Sequence, residues 1–110
     1  MDEIVVLMTV SSEGEATRIS QVLVEKSLAA CVNIIPGVRS IFLWDGNMTE
    51  AQEFLLLAKT VRQTFDQLSY VVKANHSYNV PEIIALPIQH GSEEYLSWIR
   101  DMTKAGKATN

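Results

Sequence analysis

Residues 38–61 read VRSIFLWDGNMTEAQEFLLLAKTV, and the fold follows from this stretch. Asp45-Gly46 at its centre has the chemistry of a tight hairpin turn, because glycine accepts positive φ without steric cost. Val38–Trp44 leads into the turn as one strand. Thr49–Val61 returns as another, with Phe54, Leu55, Leu56, Leu57 and Ala58 as its apolar centre. Upstream, Ala29–Ile35 is also apolar and strand-like, and Pro36-Gly37 interrupts it. Proline cannot donate to a ladder, so that point is a bulge or an edge segment. The whole hairpin runs from about Val32 to Val61. Each arm holds about 15 residues and spans roughly 50 Å at about 3.3 Å per residue.

Working outward, Ile4–Val10 is a continuous β-branched run that predicts a central strand. Ser12 and Glu15 have capping-box spacing. Behind them Ala16, Ile19, Val22 and Leu23 recur at helical spacing and predict a first helix from about Glu13 to Leu28. Thr64 and Gln67 offer a second box, with Phe65, Leu68, Val71 and Val72 on the buried face of a helix ending near Asn75. His76–Pro81 is a loop, because Pro81 forces its predecessor out of helix. Glu82–Ile88 predicts a fourth strand. Gly91 and Ser92 open a third helix through Tyr95, Leu96, Ile99 and Met102, and Lys104–Asn110 reads as a small polar tail that frays. The order β-α-β-β-α-β-α predicts an α+β fold, a ferredoxin-like βαββαβ sandwich with a long central hairpin and an extra C-terminal helix.

Helices of about 15 residues cover only about 22 Å at 1.5 Å per residue. The hairpin therefore projects past its own helices, and the projecting part carries Ile41, Phe42, Leu43 and Trp44. An apolar ribbon with open edges invites another chain, and a closed ring of copies buries the surface and consumes the edges.

Composition narrows the function. The 110 residues fit one domain spanning 1–110, with 47% apolar and 20% charged residues, a formal net charge of -4 and a pI near 5.0. Nine scattered Lys and Arg form no basic stripe, so a nucleic-acid partner is not expected. Cys31 is the single cysteine, which rules out an intramolecular disulfide. The run Ile4–Met8 is too short for a membrane span and follows Asp2 and Glu3, so no membrane insertion is expected and the cytoplasm is the expected location. Phosphate-cradle, zinc-ribbon and nucleophile signatures are absent, and no enzyme is expected.

Two stretches carry a family likeness. One is Leu28-Ala29-Ala30-Cys31-Val32-Asn33-Ile34-Ile35-Pro36-Gly37, continuing to Ser40-Ile41, Trp44, Gly46 and Lys59-Thr60. The other is His76-Ser77-Tyr78-Asn79-Val80-Pro81-Glu82 through Ile88, followed by Gly91, Tyr95, Leu96 and Trp98. Together they resemble the CutA divalent-cation-tolerance family from about Ile4 to Trp98. The resemblance implies a homotrimer whose sheets join at their edges, a link to divalent metal ions, and copper binding in some members. It also implies a shape like that of the trimeric PII signalling proteins. Mammalian relatives are tied to handling an esterase at membranes.

Copper ligands in bacterial members are a thiol on the first strand and adjacent histidines in the loop before the last strand. Here those positions hold Met8, Asn75 and His76, so only His76 is kept. A neutral imidazole is a common transition-metal ligand, but one ligand of three or four is too few for tight binding. Cys31 is a soft donor in an apolar strand, where a free cysteine usually acts as a small hydrophobe. His90 is expected to be exposed or to cap the third helix. Trp44, Glu53, Lys59, Tyr78, Glu82 and Trp98 lie toward the family's inter-subunit clefts. Lys59 ends an apolar strand and needs a partner, which Glu82 can supply. Such a cleft suits a small anion or an interfacial salt bridge. Three readings follow: a trimer that binds Cu(II) or another divalent cation weakly through His76, a PII-like anion sensor, and a rigid scaffold for partner proteins. No tightly bound cofactor is expected.

Overall fold

The computed structural model describes the backbone of residues 2–108 and the side chains of residues 2–104. Its elements are β1 (Glu3–Val10), α1 (Glu13–Glu25), β2 (Cys31–Trp44), β3 (Asn47–Val61), α2 (Phe65–Asn75), β4 (Ile83–Pro87) and α3 (Glu93–Ala108), with a 3-10 turn at Arg62–Thr64 before α2. The four strands form one antiparallel sheet in the order β2-β3-β1-β4. This is the arrangement expected from the sequence. β2 and β4 lie at the edges.

Strand residues alternate between faces. Ile4, Val6, Met8 and Val10 of β1 and Leu56 and Ala58 of β3 pack against Ala16, Ile19 and Leu23 of α1 and Leu68 and Val72 of α2. These side chains form the core under the two helices. At one end of the sheet a smaller cluster joins Ala30 and Val61 to Leu96 and Ile99 of α3. Arg100 fastens that helix by donating to the nearly buried Glu3 at 2.6 Å and to Glu93 at 2.9 Å.

The opposite face carries Val5 and Leu7, set in register with Lys59 and Leu57 on β3 and with Leu86 and Ile84 on β4. No helix covers Ile84 and Leu86, which are about half exposed. The hairpin extends farther still. Asp45 and Gly46 turn it with φ of 51° and 77°, both left-handed, as a two-residue hairpin requires. Its length matches the 46 Å long axis of the molecule. The register breaks between Ile35 and Val38, at Pro36-Gly37. Before the break Ile35 opposes Leu55, and after it Val38 opposes Glu53. The extra residue exchanges the faces of β2. Val38, Phe42 and Trp44 therefore continue the uncovered face, while Ile41 and Leu43 lie on the other side with Met48.

Several boundaries differ from the sequence reading. α1 stops at Glu25 because Ser27 turns left-handed, with φ of 58°, and the amides of Leu28 and Ala29 close onto the Leu23 carbonyl. The Ser12 cap forms, its hydroxyl accepting from the Glu15 amide at 3.2 Å, but the Glu15 carboxylate does not return to Ser12. The second capping box does not form. The Thr64 hydroxyl is buried and bonds Thr60 at 2.7 Å and the Val61 carbonyl at 2.9 Å instead. α3 continues through Ala108, so the stretch from Lys104 that reads as tail extends the helix; residues 109–110 lie outside the described residues.

Leu56 is fully buried at the centre of this core. Leu56→Ala is expected to lower stability by about 2–5 kcal/mol, measured by urea unfolding. An unchanged midpoint would show that the face under α1 and α2 is not the core.

Candidate functional site

The polar residues that meet in the fold surround the end of α2. His76 ends that helix with extended backbone angles, φ -98° and ψ 144°. Its ring turns inward and is fully enclosed. Nε2 lies 2.8 Å from the Thr9 carbonyl of β1, and Nδ1 accepts the Tyr78 amide at 3.0 Å. A carbonyl only accepts and an amide N–H only donates, so the ring is the neutral tautomer protonated at Nε2. Both nitrogens serve the main chain, which fixes the loop against the sheet.

Glu15 enters the same network from α1. Its side chain is 4% exposed. It accepts the Ser77 amide at 2.7 Å, the Ser77 hydroxyl at 3.1 Å and the Ser11 hydroxyl at 3.2 Å. Burial raises its pKa, but the Ser77 amide, the Ser11 amide and the Ser77 hydroxyl outweigh burial and hold the carboxyl below its usual range. Tyr78 completes the group. Its ring centre lies 4.8 Å from that of His76, and its hydroxyl donates to Glu53 at 2.7 Å. Burial, then the hydrogen bond to Glu53, then the charges of Glu53 and Glu15 push the phenol up to about 12.

Of the cleft residues expected from the sequence, only Glu53 and Tyr78 meet. Trp44 lies at the hairpin end opposite Asn47. Lys59 stands level with Val5 and Cys31, and its ammonium bonds the Asn33 side chain. Glu82 precedes Ile83, which pairs with Met8. Four residue steps, about 13 Å along the strand, therefore separate the level of Lys59 from that of Glu82. The expected Lys59–Glu82 pair does not form within one chain. Trp98 projects from α3 and stacks on Tyr95 at 5.5 Å between ring centres. Cys31 is free and half buried beside Tyr95, whose phenol is raised by burial and then by Cys31. His90 is exposed, as expected.

The chemistry of these donors does not fit a metal cage in one copy. His76 has no lone pair free of the main chain, and Met8 is fully buried under the helices. No cluster of three His, Cys, Asp or Glu suited to a metal occurs among the described residues. Within one copy both ring nitrogens of His76, the ligand expected from the sequence, face main-chain groups. The sequence reading missed Glu15, Ser11 and Ser77. Glu15 has helix-cap spacing, and only the fold shows that it reaches across to a loop 62 residues away.

With the loop, the bulged hairpin and the buried network described, the family can be stated. The family model described as CutA1 divalent ion tolerance protein matches residues 4–102. The chain belongs to the CutA1 family. It is 55% identical over 101 residues to the divalent-cation tolerance protein CutA of Thermus thermophilus, covering 92% of this chain and 98% of that protein. The structure of the Thermus protein superposes with a TM-score of 0.90, over 92% of this chain and 98% of that one. CutA from Xylella fastidiosa is 36% identical, with a TM-score of 0.92, over 94% of this chain and 99% of that one. The chloroplastic protein CutA 1 of rice is 44% identical over 101 residues, covering 92% of this chain; this CutA1 chain spans 57% of that protein's length.

Two pH effects follow from the network. Tyr78 holds its proton more tightly when folded, so its contribution is full below the ordinary phenol value of 10.0 and is lost as pH rises toward about 12. Ultraviolet titration should show a phenol at about 12 that Tyr78→Phe removes, with a smaller alkaline loss of stability in the variant. Glu15 has the opposite sign: its contribution is present above the ordinary carboxylate range and is lost as pH falls. Glu15→Gln sets a donor against donors and should cost about 1–3 kcal/mol at neutral pH by urea unfolding, with a flatter acid limb. Parallel acid limbs in variant and wild type would remove Glu15 from this role.

Proposed function

We propose that this chain serves in tolerance of divalent cations as a homotrimer, taking Cu(II) or a similar ion weakly at positions completed between copies and not at His76. The observation that carries the reading is the exposed apolar arm. Ile41 is 62% exposed, Leu43 65%, Trp44 67% and Met48 73%. Side chains of this type clustered on a strand pair are a contact surface. The arm continues directly into the uncovered sheet face at Leu7, Leu57 and Ile84. Edge pairing of β2 in one copy with β4 in the next closes a ring and covers both surfaces.

The cation link rests on family membership and on the name of the Thermus relative. The number three rests on the family likeness of the two motif stretches. A non-catalytic role in the cytoplasm is part of the same proposal, and it is supported by the lack of nucleophile signatures in the sequence and by the free thiol of Cys31. No described helix is long and apolar enough to cross a membrane.

Sedimentation equilibrium at micromolar concentration is expected to give three copies per particle, and Leu43→Glu with Trp44→Glu is expected to break it apart. Calorimetric titration with Cu(II) should give a weak isotherm in wild type and an equal one in His76→Asn. A single-copy wild-type particle would overturn the assembly. A cation isotherm lost only in His76→Asn would return the site to the imidazole.

A further inference from the structure

Among the described residues two cations are half buried, Arg100 and Lys59, and every other Lys and Arg is exposed. Arg100 has its anions, Glu3 at 2.6 Å and Glu93 at 2.9 Å. Lys59 has none. Its ammonium donates to the side-chain oxygen of Asn33, a neutral group, and it pairs with no carboxylate among the described residues. Glu3 lies two steps away on the same face, but Arg100 holds it, and its second oxygen is buried without a partner, so the ammonium does not reach it. Lys59 sits across from Val5 and beside Leu57 on an apolar sheet face. A charge drawn partly out of water in such a place needs an opposite charge.

The groups around the ammonium select the kind of anion. Asn33 turns its oxygen to Lys59, which leaves the two N–H bonds of an exposed amide as donors. Cys31 stands level with Lys59, and the Tyr95 hydroxyl bonds it. Tyr95 therefore borders the lysine row, and Trp98 stacks on Tyr95 at 5.5 Å between ring centres. Both rings keep about two-fifths of their surface open, 43% and 40%. A carboxylate suits an ammonium with an amide donor next to it, and a flat apolar body suits an open aromatic pair. We propose that Lys59, Asn33, Tyr95 and Trp98 bind a small aromatic carboxylic acid, its carboxylate on Lys59 and Asn33 and its ring against the Tyr95–Trp98 pair.

This site uses no metal and none of the groups around His76, so it stands apart from the cation reading. All four residues come from one chain. A carboxylate laid on Lys59 by another copy would neutralise the ammonium and leave no place for a free acid, and the same experiment decides that case.

Calorimetric titration of the full chain with benzoate, benzamide and acetate tests the proposal. Benzoate is expected to bind. Benzamide keeps the ring without the charge, acetate keeps the charge without the ring, and each is expected to bind about tenfold more weakly or less. Lys59→Met is expected to weaken benzoate by about tenfold or more, and Lys59→Arg to retain it. In nuclear magnetic resonance spectra benzoate is expected to shift the Asn33 side-chain amide and the Trp98 indole N–H. Absence of benzoate binding overturns the site, as does equal binding of benzamide or acetate. An unchanged isotherm in Lys59→Met also overturns it. If Lys59→Met does not fold, the three-ligand comparison and the two wild-type resonances decide, and a bound benzoate that leaves both unmoved overturns the assignment.

Discussion

The hairpin strands β2 and β3 are longer than the helices above the sheet, and the rest of the molecule is arranged around that inequality. A sheet is stable in water only where its apolar face is covered. α1 and α2 cover the even-numbered positions of β1 and β3, and coverage stops near Phe54. Beyond that point the hairpin supports itself only by its ladder and by cross-strand pairs. One is the two-point contact of Arg39 with Glu50, at 2.7 and 3.0 Å. An exposed pair of this kind adds little energy. It sets two charged side chains on an arm that also presents Ile41, Phe42, Leu43 and Trp44 to solvent.

The register break at Pro36-Gly37 gives the arm two usable faces. Without the extra residue, the arm's β2 side chains would swap faces. The break places Val38, Phe42 and Trp44 in line with the uncovered face of the sheet and turns Ile41 and Leu43 to the opposite side. Gly37 meets the need for positive φ there, at 77°, where a side chain would be strained. The buried polar network stands next to this break. Glu53 is nearly buried, directly across from Val38, and receives the Tyr78 hydroxyl. The loop before β4 and the root of the arm therefore share one anchor, which explains why charged groups sit so deep in a small protein. Each has donors or acceptors in place, as burial demands.

Much of this was legible in the sequence. β-branched runs located the strands, Asp45-Gly46 located the turn, and the length mismatch showed that the hairpin outruns its helices. Those signals are local, and local spacing carries them. The capping boxes were half legible. The Ser12 hydroxyl found its amide, but Glu15 and Thr64 each found a more distant partner that spacing cannot reveal. Ser27 gave no warning of a left-handed helix end, because serine is not a residue that favours one. The site was legible only in pieces. Tyr78 and Glu53 were named among the candidates, but Lys59 and Glu82 lie at different levels of the sheet within one copy, because positions along an antiparallel sheet depend on register. A shift of four steps between β3 and β4 cannot be read from two strand ends.

The position of His76 separates two properties that a motif reading joins. A histidine in a polar loop reads as a ligand because its lone pair is assumed to be free. Here the helix ends at that residue, and the ring is what satisfies the Tyr78 amide two residues on and the Thr9 carbonyl of β1. Removing that imidazole from the main chain to bind a cation would leave the Tyr78 amide and the Thr9 carbonyl buried without partners, at about 1–3 kcal/mol for each group. A weak cation does not recover that loss. The family's first-strand ligand position is closed for a different reason: Met8 faces the helices and is fully buried. Those two positions therefore do not build a preformed cage within one copy of this chain.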